Sequence, residues 1–246
     1  MPGRVLYGLT IFLSAFLAFQ VQPLMAKLIL PWFGGAAAVW TTCLVFFQVV
    51  LLLGYAYAHG LIRRVRPAHQ SRVHLTLLTV SLLAMPIIPN AALKSPTSGE
   101  PAWRLLLLLT LTVGLPYFVL TSTSPLLQAW STDERGGSQV YRWYALSNAG
   151  SLLAVVSYPV LVEPFLSTRF QAVGWSVAYG LVCVLIAAVV LLRRNAHALA
   201  ASAAEAPRPA WSVRALWLAL PACASALLLA ITNHLSQNLA AIPLLW

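Results

Sequence analysis

The chain has 246 residues, of which 60% are hydrophobic and 8% charged, and its mean hydropathy is +0.82. Soluble domains carry about 25% charged residues. This composition therefore excludes a water-soluble globule and a disordered chain. The net charge is +10, and its basic residues are placed as in proteins whose loop charges set their orientation in the membrane, not as in a nucleic-acid-binding surface. We therefore expect the lipid bilayer as partner and no nucleic acid.

Seven apolar stretches approach the length of about 20 residues that a helix needs to cross a bilayer. Their apolar runs are continuous rather than alternating, which predicts helices and not the strands of a membrane barrel. We therefore expect an all-α fold, a single transmembrane helical bundle over residues 1–246. The predicted spans lie near Val5–Met25, Ala37–Ile62, Val73–Ile88, Ala102–Trp130, Val140–Leu161, Phe170–Leu192 and Ala215–Asn233.

The basic residues predict the orientation of the bundle. Eleven of the 15 Lys and Arg residues fall on the N-terminal side of the seven-span topology. The other side has Lys27, Lys94, Arg104 and Arg169. Because loops rich in Lys and Arg stay in the cytoplasm, the N-terminus is expected to be cytoplasmic.

Polar residues inside the first two spans are candidates for an intramembrane site. Gln20, Gln22 and Lys27 lie at the outer end of the first span, and Gln48 lies near the middle of the second. Polar groups at membrane depth mark either helix contacts or a functional pathway. Lys27 extending to the interface and Gln48 bonding a neighbouring helix are the simpler alternatives.

The fourth span is interrupted by Gly114 and Pro116, and a run of hydroxyl residues precedes Pro125. Hydroxyls can satisfy the carbonyls that proline leaves free. Broken helices also form the midplane sites of transporters. Both interpretations, helix packing and a binding site, are open from the sequence.

The fifth span has Tyr144 and Asn148 on one helix face, beside the small pair Ser147 and Ser151. Small residues allow a second helix to approach closely. We therefore expect this span in the bundle interior, with Asn148 bonded to a neighbour.

The outer end of the fifth span carries Glu163, for which we predict a partner, Lys27 or Arg169, with the His234 region as second choice. A carboxylate left alone at membrane depth is costly. Asn233 and His234 close the seventh span, so the outer ends of spans one, five and seven are a candidate common polar site.

The sequence lacks the patterns of a catalytic, cofactor or metal site. Cys43, Cys183 and Cys223 lie in apolar runs without ligand spacing, and we expect them to be small buried hydrophobic residues. No cofactor is expected.

Five blocks of sequence resemble one family. They are Ala38–Cys43 (AVWTTC), Phe46–His59 (FFQVVLLLGYAYAH), Tyr117–Trp130, Tyr144–Pro164 and Thr232–Trp246. Together they resemble the membrane domain of bacterial fused MFS/spermidine synthase proteins. The resemblance implies a multi-pass domain of the bacterial inner membrane that anchors or serves a cytoplasmic aminopropyltransferase-type domain.

The chain departs from this family because the synthase domain is absent. That domain uses a Gly-rich loop and several acidic residues, whereas Asp133 is the only aspartate here. We therefore expect the chain alone to be non-catalytic, and its end at IPLLW resembles the start of an eighth helix, which favours truncation. A small-molecule transporter and a structural subunit of a larger membrane complex are the alternatives. A polyamine carrier is disfavoured because Glu163 is the one acidic residue near the membrane.

Overall fold

The computed structural model describes residues 2–90, 93, 101–135, 138–196 and 210–238, and these are helical with short connections. Six helices are long and apolar enough to cross a membrane, as expected of an all-α bundle. They are Gly3–Phe33, Ala37–Arg64, Ala102–Ser131, Tyr141–Val162, Thr168–Leu192 and Trp211–Leu235.

The helices are named in chain order. They are α1 (Pro2–Phe33), α2 (Ala37–Arg64), α3 (Pro67–Ser81), α4 (Pro101–Leu109), α5 (Leu115–Arg135), α6 (Ser138–Ser157), α7 (Thr168–Ala196) and α8 (Trp211–Asn238). The first helix continues through Pro23 and Pro31, so Lys27 is helical and the predicted end at Met25 is eight residues too early.

The third predicted span is the one that does not appear as a membrane-length helix. Helix α3 has 15 residues and continues for one 3₁₀ turn, Leu82–Ala84. At 1.5 Å per residue this helix is about 22 Å long, short of the 30 Å hydrocarbon core. It ends ahead of Pro86, because proline lacks the N–H that continues a helix and disfavours the helical conformation before it.

Helices α4 and α5 form one rod through the centre of the bundle. Thr110–Gly114 joins them as a π-helix, so the predicted interruption is a widened turn rather than a break. Of the most apolar 18 residues in Ala102–Ser131, 67% are buried. Pro116 follows this turn by two residues and lacks the N–H that would continue the helical hydrogen bonds there, so the widened turn lies where the proline interrupts them.

Contacts at both ends fix the directions of the helices. Gln22 contacts Tyr117 near one end of the bundle, whereas Tyr7 and Trp130 share a cluster near the other, so α1 and α5 are antiparallel. Gln70 contacts Trp130 and His74 contacts Thr123, so α3 is antiparallel to α5 as well.

The helix ends that lie next to arginines in the sequence meet at one end of the bundle. A single hydrophobic cluster there contains Tyr7, Leu61, Trp130, Trp143 and Val190. These residues lie within a few positions of the basic groups around Arg4, Arg63, Arg135, Arg142 and Arg193. The sequence prediction that these groups share one side is consistent with this arrangement of the helices.

Helices α6 and α8 lie at the periphery. Of the most apolar 18 residues, 17% are buried in Tyr141–Val162 and 6% in Trp211–Leu235. The prediction that the fifth span occupies the bundle interior is therefore wrong. Helix α6 packs along α1 with one face, and its other face is exposed through residues such as Leu152 and Val156.

Candidate functional site

The predicted partner of Glu163 is confirmed. The Lys27 ammonium Nζ lies 3.2 Å from Glu163 Oε1 and joins α1 to the end of α6. Both side chains are partly exposed, at 30% and 44%. The pair therefore lies at the edge of the bundle, where it fixes the parallel register of two helices rather than forming an enclosed charged pocket.

The two glutamines of α1 face the interior. Gln22 donates from Nε2 to the Tyr117 hydroxyl at 3.2 Å and so connects α1 to the central rod. Gln20 is buried, and its Oε1 has no hydrogen-bond partner among the described residues. Gln48 is half-buried on α2.

The structure contradicts the predicted environment of Tyr144 and Asn148. Tyr144 is 61% exposed, and Asn148 is exposed as well. The packed face of α6 instead contains Gly150, and at 100° per residue Asn148 lies about 160° away from it. The small residues do indicate the side of α6 that packs, since Ser147 and Ser151 are half-buried beside Gly150.

Asn233 and His234 are local in their bonding. The Asn233 side chain accepts a hydrogen bond from Gln237 at 3.2 Å, and the exposed His234 bonds with Asn238 on the next turn. Asn233 lines an open groove between α8 and the N-terminal end of α2 that also contains Thr41. The contacts of these residues do not extend to Lys27 and Glu163, so a common site for spans one, five and seven is not formed by direct bonds in the described residues.

A second polar group, which the sequence analysis missed, lies where α2, α3 and α5 meet. Gln70 donates from Nε2 to the carbonyls of Val65 at 2.9 Å and Ile62 at 3.3 Å. Its Oε1 accepts from Trp130 Nε1 at 2.9 Å. Gln70 therefore connects three helices and uses both ends of its amide.

His74 lies one turn further along α3 and is fully buried. Its Nε2 is 3.3 Å from Thr123 Oγ1, and Thr123 Oγ1 donates to the Val119 carbonyl at 2.7 Å. The Tyr57 ring stacks against the imidazole with centroids 6.1 Å apart, and the Trp130 ring meets it edge to face at 6.2 Å. We call Tyr57, Gln70, His74, Thr123 and Trp130 the His74 cluster.

A signal for this cluster was present in the sequence. Gln70, His74 and Ser81 are spaced by four and seven residues and form the buried stripe of α3 together with Leu78 and Ser71. Starting the predicted span at Val73 separated Gln70 from His74 and concealed the stripe.

The hydroxyls of the central rod do not bond to the carbonyl that Pro125 leaves free. Thr121 and Thr123 donate to the carbonyls of Phe118 and Val119. The carbonyl that an N–H at position 125 would bond belongs to Thr121. The hydroxyls therefore reinforce the preceding turn and, in this structure, do not satisfy the carbonyl that Pro125 leaves free.

The described residues contain no group of three metal-ligating side chains. Cys43 and Cys183 are buried, as predicted, but Cys223 is exposed on peripheral α8. Burial of the third cysteine was inferred from its apolar neighbours, and these face outward too.

Comparisons with known proteins do not assign the chain to a family. No known family matches the chain, and no solved structure matches it. Over 62 residues the chain is 39% identical to a deoxyribodipyrimidine photo-lyase of Thermus thermophilus. This match covers 24% of the chain and 15% of the photo-lyase, so it identifies no family.

Proposed function

We propose that the chain is a seven-span domain of the bacterial inner membrane with its N-terminus in the cytoplasm. The antiparallel contacts of α3 with α5 support a third crossing, made by the short helix and the non-helical residues 85–90 that follow it. The collection of arginine-flanked helix ends at one end of the bundle supports the orientation.

Labelling of a single cysteine tests this topology. In a variant with Cys43, Cys183 and Cys223 replaced by alanine, Val65→Cys should resist a membrane-impermeant thiol reagent added to the periplasm. Asn90→Cys, at the opposite end, is the matched control and should react. Reaction of the Val65→Cys variant from the periplasm would refute the orientation.

Within this topology, the function that we propose is to anchor or serve a cytoplasmic aminopropyltransferase-type domain. The observation that carries the proposal is the contact between two blocks that resemble the fused MFS/spermidine synthase family. The Phe47 and Tyr117 rings meet edge to face with centroids 5.0 Å apart, and Gly54 lies against Thr121. The resembling sequence thus forms the α2–α5 interface, as expected if the resemblance reflects a common packing arrangement.

Crosslinking in native membranes, followed by purification of the tagged chain, tests the partnership. We expect a transferase-type domain, joined to the chain or captured with it, that forms spermidine from putrescine and decarboxylated adenosylmethionine. Residues 1–246 alone should form none, because they lack a Gly-rich nucleotide loop. Recovery of the chain without such a domain, or spermidine formation by residues 1–246, would contradict the proposal.

The second candidate is a small-molecule carrier, which is favoured by the π-helical turn of the central rod and the buried polar residues beside it. A carrier exposes its centre alternately to each side. Ser124 is buried in the rod, so a Ser124→Cys variant of a carrier would react with small water-soluble thiol reagents from both sides of the membrane. A domain that serves only as an anchor should leave this cysteine unreactive.

A further inference from the structure

Two neighbouring side chains of α3 differ sharply in how their hydrogen bonds are satisfied. Gln70 makes three hydrogen bonds, two as donor and one as acceptor. His74, one turn later and fully buried, has one bond at Nε2, whereas Nδ1 has no partner among the described residues. Buried polar atoms are paired in the great majority of cases, so this nitrogen requires an explanation.

The hydrogen bonds around Thr123 favour one of the two neutral tautomers of His74. A hydroxyl has one proton, and that of Thr123 is donated to the Val119 carbonyl. Thr123 Oγ1 therefore accepts from His74, and the proton of the neutral imidazole resides on Nε2. Nδ1 is then a bare acceptor, and its missing partner must be a donor.

The hydroxyl of Tyr57 is the second unsatisfied group at this position. It is buried without a partner in the described part of the chain, and its ring lies beside the imidazole with centroids 6.1 Å apart and planes at 29°. Two hydrogen bonds of about 2.8 Å allow one water molecule to connect polar atoms up to roughly 5.5 Å apart. Water can donate to a nitrogen and bond a hydroxyl at the same time, which a purely apolar occupant cannot do.

We propose that the His74 cluster binds a buried water molecule that donates to Nδ1 of His74 and accepts from the Tyr57 hydroxyl. Buried waters occupy sites where otherwise unsatisfied polar groups converge, and they need at least two such partners. The water would join α2 to α3 one helical turn beyond Gln70, whose own hydrogen bonds join the same two helices at the end of α2. The proposal is independent of the protein's function.

Hydroxyl-radical labelling by pulsed X-ray radiolysis, read by mass spectrometry on the full chain in micelles, tests this site. Radicals form from water, so a buried side chain is modified only when water is bound beside it. We expect His74 to be oxidised severalfold faster than Tyr179, an equally buried ring whose hydroxyl bonds to Ser81. Oxidation of His74 no faster than that of Tyr179 would overturn the proposal.

A pair of tyrosine variants identifies the second ligand of the water. Tyr57→Phe removes one partner, and His74 labelling should fall by at least half. Tyr179→Phe removes a buried hydroxyl elsewhere and should leave His74 labelling unchanged. A Tyr57→Phe variant that labels like the parent would refute the assignment.

The tautomer gives an independent readout. In protein with ¹⁵N-labelled histidine, the His74 spectrum should show a protonated Nε2 and an unprotonated, hydrogen-bonded Nδ1. A proton on Nδ1 would reverse the direction of the proposed bond and overturn the proposal.

Discussion

Substitution of Gly150 gives the sharpest test of how α6 packs on α1. A Cβ atom at this position would lie 2.6 Å from the Phe12 carbonyl oxygen and 3.4 Å from its carbon. Carbon–oxygen contacts between adjacent helices are about 3.3 Å at closest. Because the obstacle is backbone, no rotamer change relieves it, and the two helices must separate by several tenths of an ångström.

The expected cost follows from two opposing effects. Overpacking of this kind costs about 1–3 kcal/mol, whereas alanine is favoured over glycine inside a helix by about 1 kcal/mol. Gly180→Ala, on α7, is the matched control because a Cβ atom there meets nothing within 4 Å. Gly180→Ala gains helix propensity without any overpacking. Gly150→Ala should therefore be less stable than Gly180→Ala by about 1–3 kcal/mol.

The difference is measurable by reversible unfolding in mixed micelles, with titrated denaturing detergent and circular dichroism at the helical band. Both variants should unfold in one transition, with Gly150→Ala at the lower midpoint. Equal midpoints would refute the close approach of α1 and α6 and, with it, the explanation of why Asn148 faces outward.

Three further substitutions probe the polar contacts. A double-mutant cycle of Lys27→Met and Glu163→Gln should give a coupling of about 0.2–1 kcal/mol, typical of exposed ion pairs, and a larger value would mean that the pair is enclosed. Gln70→Leu removes three hydrogen bonds at about 0.6 kcal/mol each, and should lower the unfolding free energy by about 2 kcal/mol. Asn148→Leu should not destabilise the chain in the same assay, and a loss above about 1 kcal/mol would show a missing interhelical bond.

The features that the sequence predicted well depend on chemistry along one helix or at its end. Span positions follow from apolar length, and the pairing of Glu163 with Lys27 follows from the cost of an isolated carboxylate and from their common side. Both arguments need no knowledge of helix packing. The predicted pairing of Lys27 with Glu163 is correct, although the first helix extends to Phe33 and not to the predicted Met25.

The features that the sequence missed depend on which helix packs against which. A helical face containing Tyr144 and Asn148 was identified, but periodicity does not say whether a polar face looks inward or outward. Gly150, on the opposite side, decides this through its contact with Phe12. The His74 cluster escaped for a related reason, since its partners lie on three helices and 49 residues separate His74 from Thr123 in the chain.

The contacts of the helices also predict an order in which the bundle opens. Close backbone packing joins α1 to α6 at Gly150 and α2 to α5 at Gly54.

Helix α3 is short, and its buried stripe is held through Gln70, His74 and Ser81. Interhelical hydrogen bonds in bilayers average about 0.6 kcal/mol each, so these attachments are weak compared with a close-packed backbone interface. Amide protons in α3 should therefore exchange with deuterium before those of α5, since local opening occurs first where the fewest strong contacts must break. Mass-spectrometric exchange on the intact chain in micelles would show this order, and exchange of α5 ahead of α3 would mean that the polar stripe of α3 holds the bundle more tightly than the glycine contacts do.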